Sequence, residues 1–325
     1  MDRRLEQLKE WVESQVEGIS SIQPASEDAS FRRYFRIRFL DQGREQTAIV
    51  MDAPPEKEDS APFIAIAGVL RQCGINAPQL FAVDLDRGFL LLSDLGILSY
   101  LDQLNDGSVG SLYGDALDAL LTMQTEWPTE QQLPPYDRLL LLQEMESFPQ
   151  WYLGEHRKIS PSLDRREMLN RQFALLADSA LGQPQVVVHR DYHSRNLMVV
   201  DGDNPGVIDF QDAVWGPVTY DLVSLLRDCY IDWPRDRVEG WAESYFNRLV
   251  ENQLVDSDWP QFLRWFDWMG VQRHLKAIGI FSRLNYRDGK PGYLDDIPRT
   301  MDYVVEVTAR YPELEPLNEL TRSLR

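Results

Sequence analysis

Residues 186–210 read VVVHRDYHSRNLMVVDGDNPGVIDF. Val186 to Val188 has the unbroken β-branched character of a buried strand. Leu197 to Val200, with Val207 and Ile208, reads as a hairpin closed by the turn residues Asp201, Gly202, Asp203, Asn204, Pro205 and Gly206. Antiparallel pairing sets the start of one strand beside the end of the other, so Asn196 and Asp209 are expected at one edge. A carboxylate and an amide oxygen together suit magnesium, a hard ion that takes few protein ligands and completes its shell with water and phosphate oxygens. Asp191 lies on the loop leading into that edge.

Upstream of this block the pattern is sheet-rich. Leu5, Leu8, Val12 and Val16 recur at helical spacing and predict an amphipathic helix packed on the lobe behind it. From Phe31 to Phe39 the pattern alternates, with Phe35, Ile37 and Phe39 on one side and Arg36 and Arg38 on the other. Asp41, Gln42 and Gly43 then predict a hairpin into the run Thr47 to Met51. Phe63 to Leu70 reads as a helix, followed by strands at Leu80 to Val83 and Phe89 to Leu92. Beyond Leu95 long helical patterns dominate, among them Leu112 to Met123, Leu139 to Phe148, Val238 to Leu249 and Phe262 to Phe281. The expectation is an α+β chain with a small sheet-rich N-lobe over residues 1–94 and a larger, mostly helical C-lobe over 95–325, hinged near Gly96.

Composition narrows the function classes. The 325 residues are 43% hydrophobic and 26% charged, which is the range of an ordered globular protein. A net charge of −19 repels a phosphate backbone, so nucleic acid is not the expected partner. Cys73 and Cys229 are too few for a disulfide framework or a four-ligand zinc site. The start MDRRLEQLKEW lacks the apolar core of a signal peptide, and no run reaches about 18 apolar residues. The reading is a cytoplasmic protein with no membrane partner.

The central block carries a resemblance. His189, Asp191 and Asn196 resemble the H-x-D-x-x-x-x-N catalytic loop of protein kinases and aminoglycoside phosphotransferases, and Asp209 with Phe210 resembles the metal-binding motif after it. The resemblance implies the protein-kinase-like fold, with ATP and magnesium as cofactors. It implies Asp191 as the base for an acceptor hydroxyl, Asn196 and Asp209 as metal ligands, and His189 as a structural residue. Asp221, in TYDLVSLL, fills the slot of an Asp that holds the loop by hydrogen bonds, with a plain helix cap as the other reading. Leu91 to Gly96 resembles the hinge that pairs its backbone with adenine, which brings in Ser93 and Leu95.

The N-lobe departs from that pattern. Kinases cover the phosphates with a Gly-rich loop and clamp them with a strand Lys paired to a helix Glu. Ser26 to Ser30 contains no glycine, Ala48 to Asp52 no Lys and Phe63 to Leu70 no Glu. Ser30, Arg32 and Arg33 are the candidate substitutes, with a solvated strand edge as the alternative for the arginines.

DASFRRYFRI, MDAPPEKED, LLLSDLG and QRHLKAIGIFSRLNYRDGK, taken with the central block, are similar to the bacterial anomeric kinases of N-acetylmuramate and N-acetylglucosamine in cell-wall recycling. The partner this implies is a small-molecule amino sugar, converted to its 1-phosphate. Gln211 and Asp212, directly after the metal motif, are candidates for sugar hydroxyls, Trp215 for stacking, and Arg273 and Lys276 for the lactyl carboxylate of muramate. His274 is a further substrate candidate, and its helical spacing with Ile278 and Phe281 fits a core histidine equally. A kinase for a cationic acceptor such as choline or an aminoglycoside, and a nucleotide-binding pseudokinase regulator, are the competing functions.

Overall fold

The computed structural model describes residues 2–27 and 31–325. They form two compact units, Met1–Gln103 with Leu197–Asp212, and Leu104–Asn196 with Ala213–Arg325. The first unit opens with α1 (Arg3–Gln15), capped by the Asp2 side chain on the N–H groups of Arg4 and Leu5. Strands β1 (Ile19–Glu27), β2 (Arg33–Asp41) and β3 (Arg44–Asp52), helix α2 (Ala61–Gln72), strands β4 (Leu80–Asp84) and β5 (Phe89–Ser93) and the short α3 (Tyr100–Gln103) follow. The sheet is antiparallel, in the order β1-β2-β3-β5-β4.

The expected hairpin is present with longer strands than its apolar runs suggested. Gln42 and Gly43 both take positive φ, 48° and 79°, the backbone of a two-residue hairpin turn whose twist matches the strands. Pairing therefore continues to Asp41 opposite Arg44. Strand β1 was not anticipated, because Pro24 interrupts it; as an edge strand it spares the proline's missing N–H. Leu8, Trp11 and Val12 of α1 pack on Phe35, Ile37, Ala48, Val50, Phe89 and Leu91, one face of the sheet.

The second unit begins with α4 (Val109–Glu126), α5 (Arg138–Ser147), a π-helical segment at Phe148–His156, α6 (Leu163–Leu181) and strand β6 (Gln185–Val188). The chain then returns to the first unit for β7 (Leu197–Met198) and β8 (Gly206–Val207). This hairpin is shorter than expected because other segments take its backbone groups. Val199 N–H donates to the Leu98 carbonyl and Val207 N–H to that of Asn76, both at 2.8 Å.

Strand β9 (Val214–Pro217) pairs antiparallel with β6, and α7 (Tyr220–Leu226), α8 (Arg235–Glu251), α9 (Trp259–Tyr286), α10 (Ile297–Thr308) and α11 (Glu315–Leu324) complete the second unit. Helix α9, 28 residues long, is its axis and packs on α5, α6, α7 and α10. Gly279 lets it approach closely: a Cβ there would sit 2.4 Å from the Ser147 carbonyl carbon and 2.6 Å from the Phe148 nitrogen. The α+β architecture is thus a sheet-rich first unit and a larger helical second unit. Among the described residues no helix is long and apolar enough to cross a membrane.

Candidate active site

Strand β6 is buried from Val186 to Val188, and Val188 pairs with Val214. The loop from His189 to Asn196 thus starts on a rigid ladder. His189 is buried, and its Nδ1 accepts the backbone N–H of Asp191 at 3.2 Å, so the imidazole works inside the loop. Asp221, fully buried at the start of α7, accepts the N–H of His189 at 2.6 Å and of Arg190 at 3.0 Å. Burial pushes the Asp221 carboxyl up to about 7, against the lowering effect of those two N–H groups.

The other end of the loop has a tether that sequence reading missed. Asp228, 1% exposed, accepts the N–H of Ser194 at 2.9 Å and of Tyr230 at 3.0 Å. Between the tethers stands Asp191. Burial works to raise its carboxyl, but the positive field of Lys276 foremost, then His193 and Arg273, carries it below its ordinary value. Asp191 is therefore an ionised carboxylate at neutral pH, the form a general base requires.

The Asn196 Nδ2 group donates to the Asp191 carbonyl at 3.0 Å, which leaves the amide oxygen as the end with metal-ligand chemistry. In the first unit, Leu197 pairs with Val207, and Asp209 follows two residues later with φ +65°. Its Oδ1 accepts from Gln211 Nε2 at 2.9 Å. Phe210 is buried and stacks on Phe63 of α2 with centroids 4.9 Å apart. Among the described residues no three His, Cys, Asp or Glu side chains gather as a metal cage. The Asp209 carboxylate, in the first unit, and the Asn196 amide oxygen, in the second, are each of the hard-oxygen type that magnesium takes, an ion that needs only one or two protein ligands when phosphate oxygens are at hand.

Beneath the loop, Glu144 of α5 gathers a set of donors that no sequence spacing signalled. Its Oε1 takes Lys276 Nζ at 2.9 Å and the Arg190 guanidinium, and its Oε2 takes the Tyr136 hydroxyl and Gln272 Nε2. Lys276 Nζ also donates to the Tyr220 hydroxyl at 3.1 Å. Lys276 is thus committed to α5 and α7 while its charge still reaches Asp191.

Other sequence candidates are distributed more widely. Arg273 is 6% exposed, with Nη1 3.6 Å from Cys229 Sγ. His274 is fully buried, bonded through Nε2 to the Arg227 carbonyl at 2.8 Å and stacked on Tyr303, so its ring is part of the packing around α9. Trp215, on β9, is 40% exposed and presents an aromatic face to solvent; Asp212 is exposed.

In the first unit, Ser93 Oγ accepts the Gln79 N–H at 2.8 Å. The turn through Leu95 is closed by Asp94, which accepts the Gly96 N–H at 3.0 Å and a bidentate contact from Arg36 at 2.6 and 2.9 Å. Arg36 reads as a solvent-side strand residue in the sequence, yet it fastens β2 to this turn. Where kinases place a lysine, β3 ends on the fully buried Asp52, paired with Arg4 at 2.6 Å and Arg33 at 2.6 Å. Arg32 Nε lies 3.8 Å from Glu58 Oε2. Ser30 lies outside the described residues.

The chain is 46% identical, over 100% of its own length and 97% of the relative's, to the N-acetylmuramate/N-acetylglucosamine kinase of Pseudomonas putida. Among solved structures it shares the fold of the choline kinase LicA of Streptococcus pneumoniae, with a TM-score of 0.66 at 13% identity over 95% of this chain and 100% of that one. An ADP-bound aminoglycoside phosphotransferase has a TM-score of 0.60 at 13% identity, covering 93% and 98% of the two chains. Residues 21–263 match the phosphotransferase enzyme family, and the chain belongs to that family.

Proposed function

We propose that the protein is an ATP-dependent kinase that phosphorylates the anomeric hydroxyl of N-acetylmuramate and N-acetylglucosamine, in the recovery of cell-wall amino sugars. The observation that carries the reading is Asp191 on a loop hung by its His189 and Arg190 N–H groups from Asp221, in a chain 46% identical over its whole length to the Pseudomonas putida kinase. In this reading ATP is held by residues of the first unit and the sugar by residues of the second. Asn196 and Asp209 are the residues that would hold magnesium, whose charge would offset that on the nucleotide phosphates.

Asp191 orients the anomeric hydroxyl and accepts its proton as the oxygen attacks the γ-phosphorus. The bond from that phosphorus to the β–γ bridging oxygen breaks, and ADP leaves with the electron pair. The anomeric hydroxyl is more acidic than the other ring hydroxyls, so a carboxylate has less proton-transfer work to do there. The lactyl ether of muramate sits on a different ring carbon, which allows both sugars to present the same reacting atom.

The product is a glycosyl phosphate without a free reducing end. In a reaction with either sugar, copper-reducing capacity is expected to fall one-for-one with ADP formed. ADP accumulating at constant reducing capacity would move the phosphate to another hydroxyl and overturn the anomeric assignment.

A further inference from the structure

Arg190 is the residue immediately before the proposed base, and its backbone is left-handed, with φ +78°. Residues with a Cβ occupy that region sparsely, and such a conformation persists only where its surroundings over-determine it. Two contacts do so here. The Arg190 N–H is held by Asp221, and its guanidinium is held by Glu144 and lies 5.8 Å from the Tyr136 ring. The Glu144 side chain is only 8% exposed and is itself fixed by Lys276, Tyr136 and Gln272.

We infer that Glu144 is a positioning residue: through the Arg190 guanidinium it keeps the loop in the left-handed turn that sets the direction of Asp191. The inference rests on the kinase reading of Asp191. A side chain that is strained in the backbone and anchored at its tip works as a latch. Glycine at the same position would adopt the turn without strain and would need no anchor.

The comparison of Arg190→Ala with Arg190→Gly tests this. Alanine keeps the strain and loses the anchor, so its kcat should fall roughly 10-fold or more, with both KM values within about 3-fold of wild type. Glycine loses both, and should be about 5-fold or more faster than alanine. Glu144→Gln should lower kcat in the wild-type background by roughly 10-fold and by much less in the Arg190→Gly background. Equal kcat for the alanine and glycine variants, or a Glu144→Gln effect of the same size in both backgrounds, overturns the latch. If Glu144→Gln does not fold, because Lys276 loses its counter-charge, the two Arg190 variants decide alone. Should wild type phosphorylate neither sugar, the functional reading fails separately. Amide exchange of residues 189–194, expected to be about 5-fold faster in Arg190→Ala, then reads the latch, and unchanged exchange overturns it.

Discussion

The carboxylate of Asp221 accepts the backbone N–H of His189 at 2.6 Å, a hydrogen bond between a helix start and a loop made where neither partner meets solvent. It has a pH signature. The folded carboxyl is pushed up to about 7 by burial, above the roughly 3.9 of an unfolded chain, so the native state binds this proton more tightly. Its stabilising contribution is full below about pH 4 and is lost as pH rises toward 7. Urea unfolding at pH 5 and pH 7.5 should therefore show wild type losing ground against Asp221→Asn at the higher pH. A pH-independent difference would count against a raised Asp221.

Asp191 and Asp209 should fail in different ways. Asp191→Asn is expected to lower turnover roughly 100- to 10,000-fold with ADP affinity nearly unchanged, because only the transition state uses the base. Asp209→Ala should instead remove the magnesium dependence of nucleotide binding, since the Asn196 amide cannot hold a hard ion alone. Steady-state rates and ADP titrations with and without magnesium separate the two; an Asp191→Asn enzyme above about a tenth of wild-type turnover would contradict the base assignment.

The arginines proposed for the phosphates divide in the structure. The Arg33 guanidinium is engaged by Asp52 and Asp2, whereas Arg32, one position earlier in the sequence, lies with its Nε 3.8 Å from Glu58. Arg32→Ala should raise the ATP KM by roughly 10-fold, the loss expected for a charge-assisted phosphate contact. Arg33→Ala should leave that KM within about 2-fold and cost about 1 kcal/mol of stability, because its side chain is substantially exposed and Arg4 still covers Asp52. Reversed behaviour in the two variants would assign the clamp to Arg33.

His274 should report on folding in acid. Burial pushes its imidazole down to about 3, so the ring is neutral in the fold and charges only on unfolding. A depressed folded value means the contribution is present above about pH 6.5 and is lost as pH falls toward 3. His274→Gln should flatten the loss of stability between pH 6.5 and 4 in denaturant titrations, with sugar KM within about 2-fold of wild type. A large KM change would return His274 to the substrate site.

The motif that points to the family was legible in the sequence because it rests on short spacings. His189, Asp191 and Asn196 lie within eight consecutive positions, and turn residues of the following hairpin announce Asp209. The strands around Gln42 and Gly43 were readable for the same reason: alternation and turn conformation are properties of neighbouring residues. Pro24 concealed β1 because proline argues against a strand until its edge position is known.

The tertiary structure alone decided what holds those residues still. Glu144 meets Arg190 across 46 positions, Asp228 meets Ser194 across 34, and Arg36 meets Asp94 across 58. No periodicity links such pairs, since they are brought together by helices and strands whose packing depends on the whole core. The same holds for Leu197–Asp212, which comes after the His189–Asn196 loop in sequence yet belongs to the first unit. Its membership is set by backbone hydrogen bonds to Leu98 and Asn76, and a hydrogen bond between distant backbone groups leaves no trace in residue type. The sequence by itself thus determined the family resemblance and the residues expected to act, while the tertiary structure determined which buried acids hold the loop that carries Asp191, because that is settled by the packing of elements far apart in the chain.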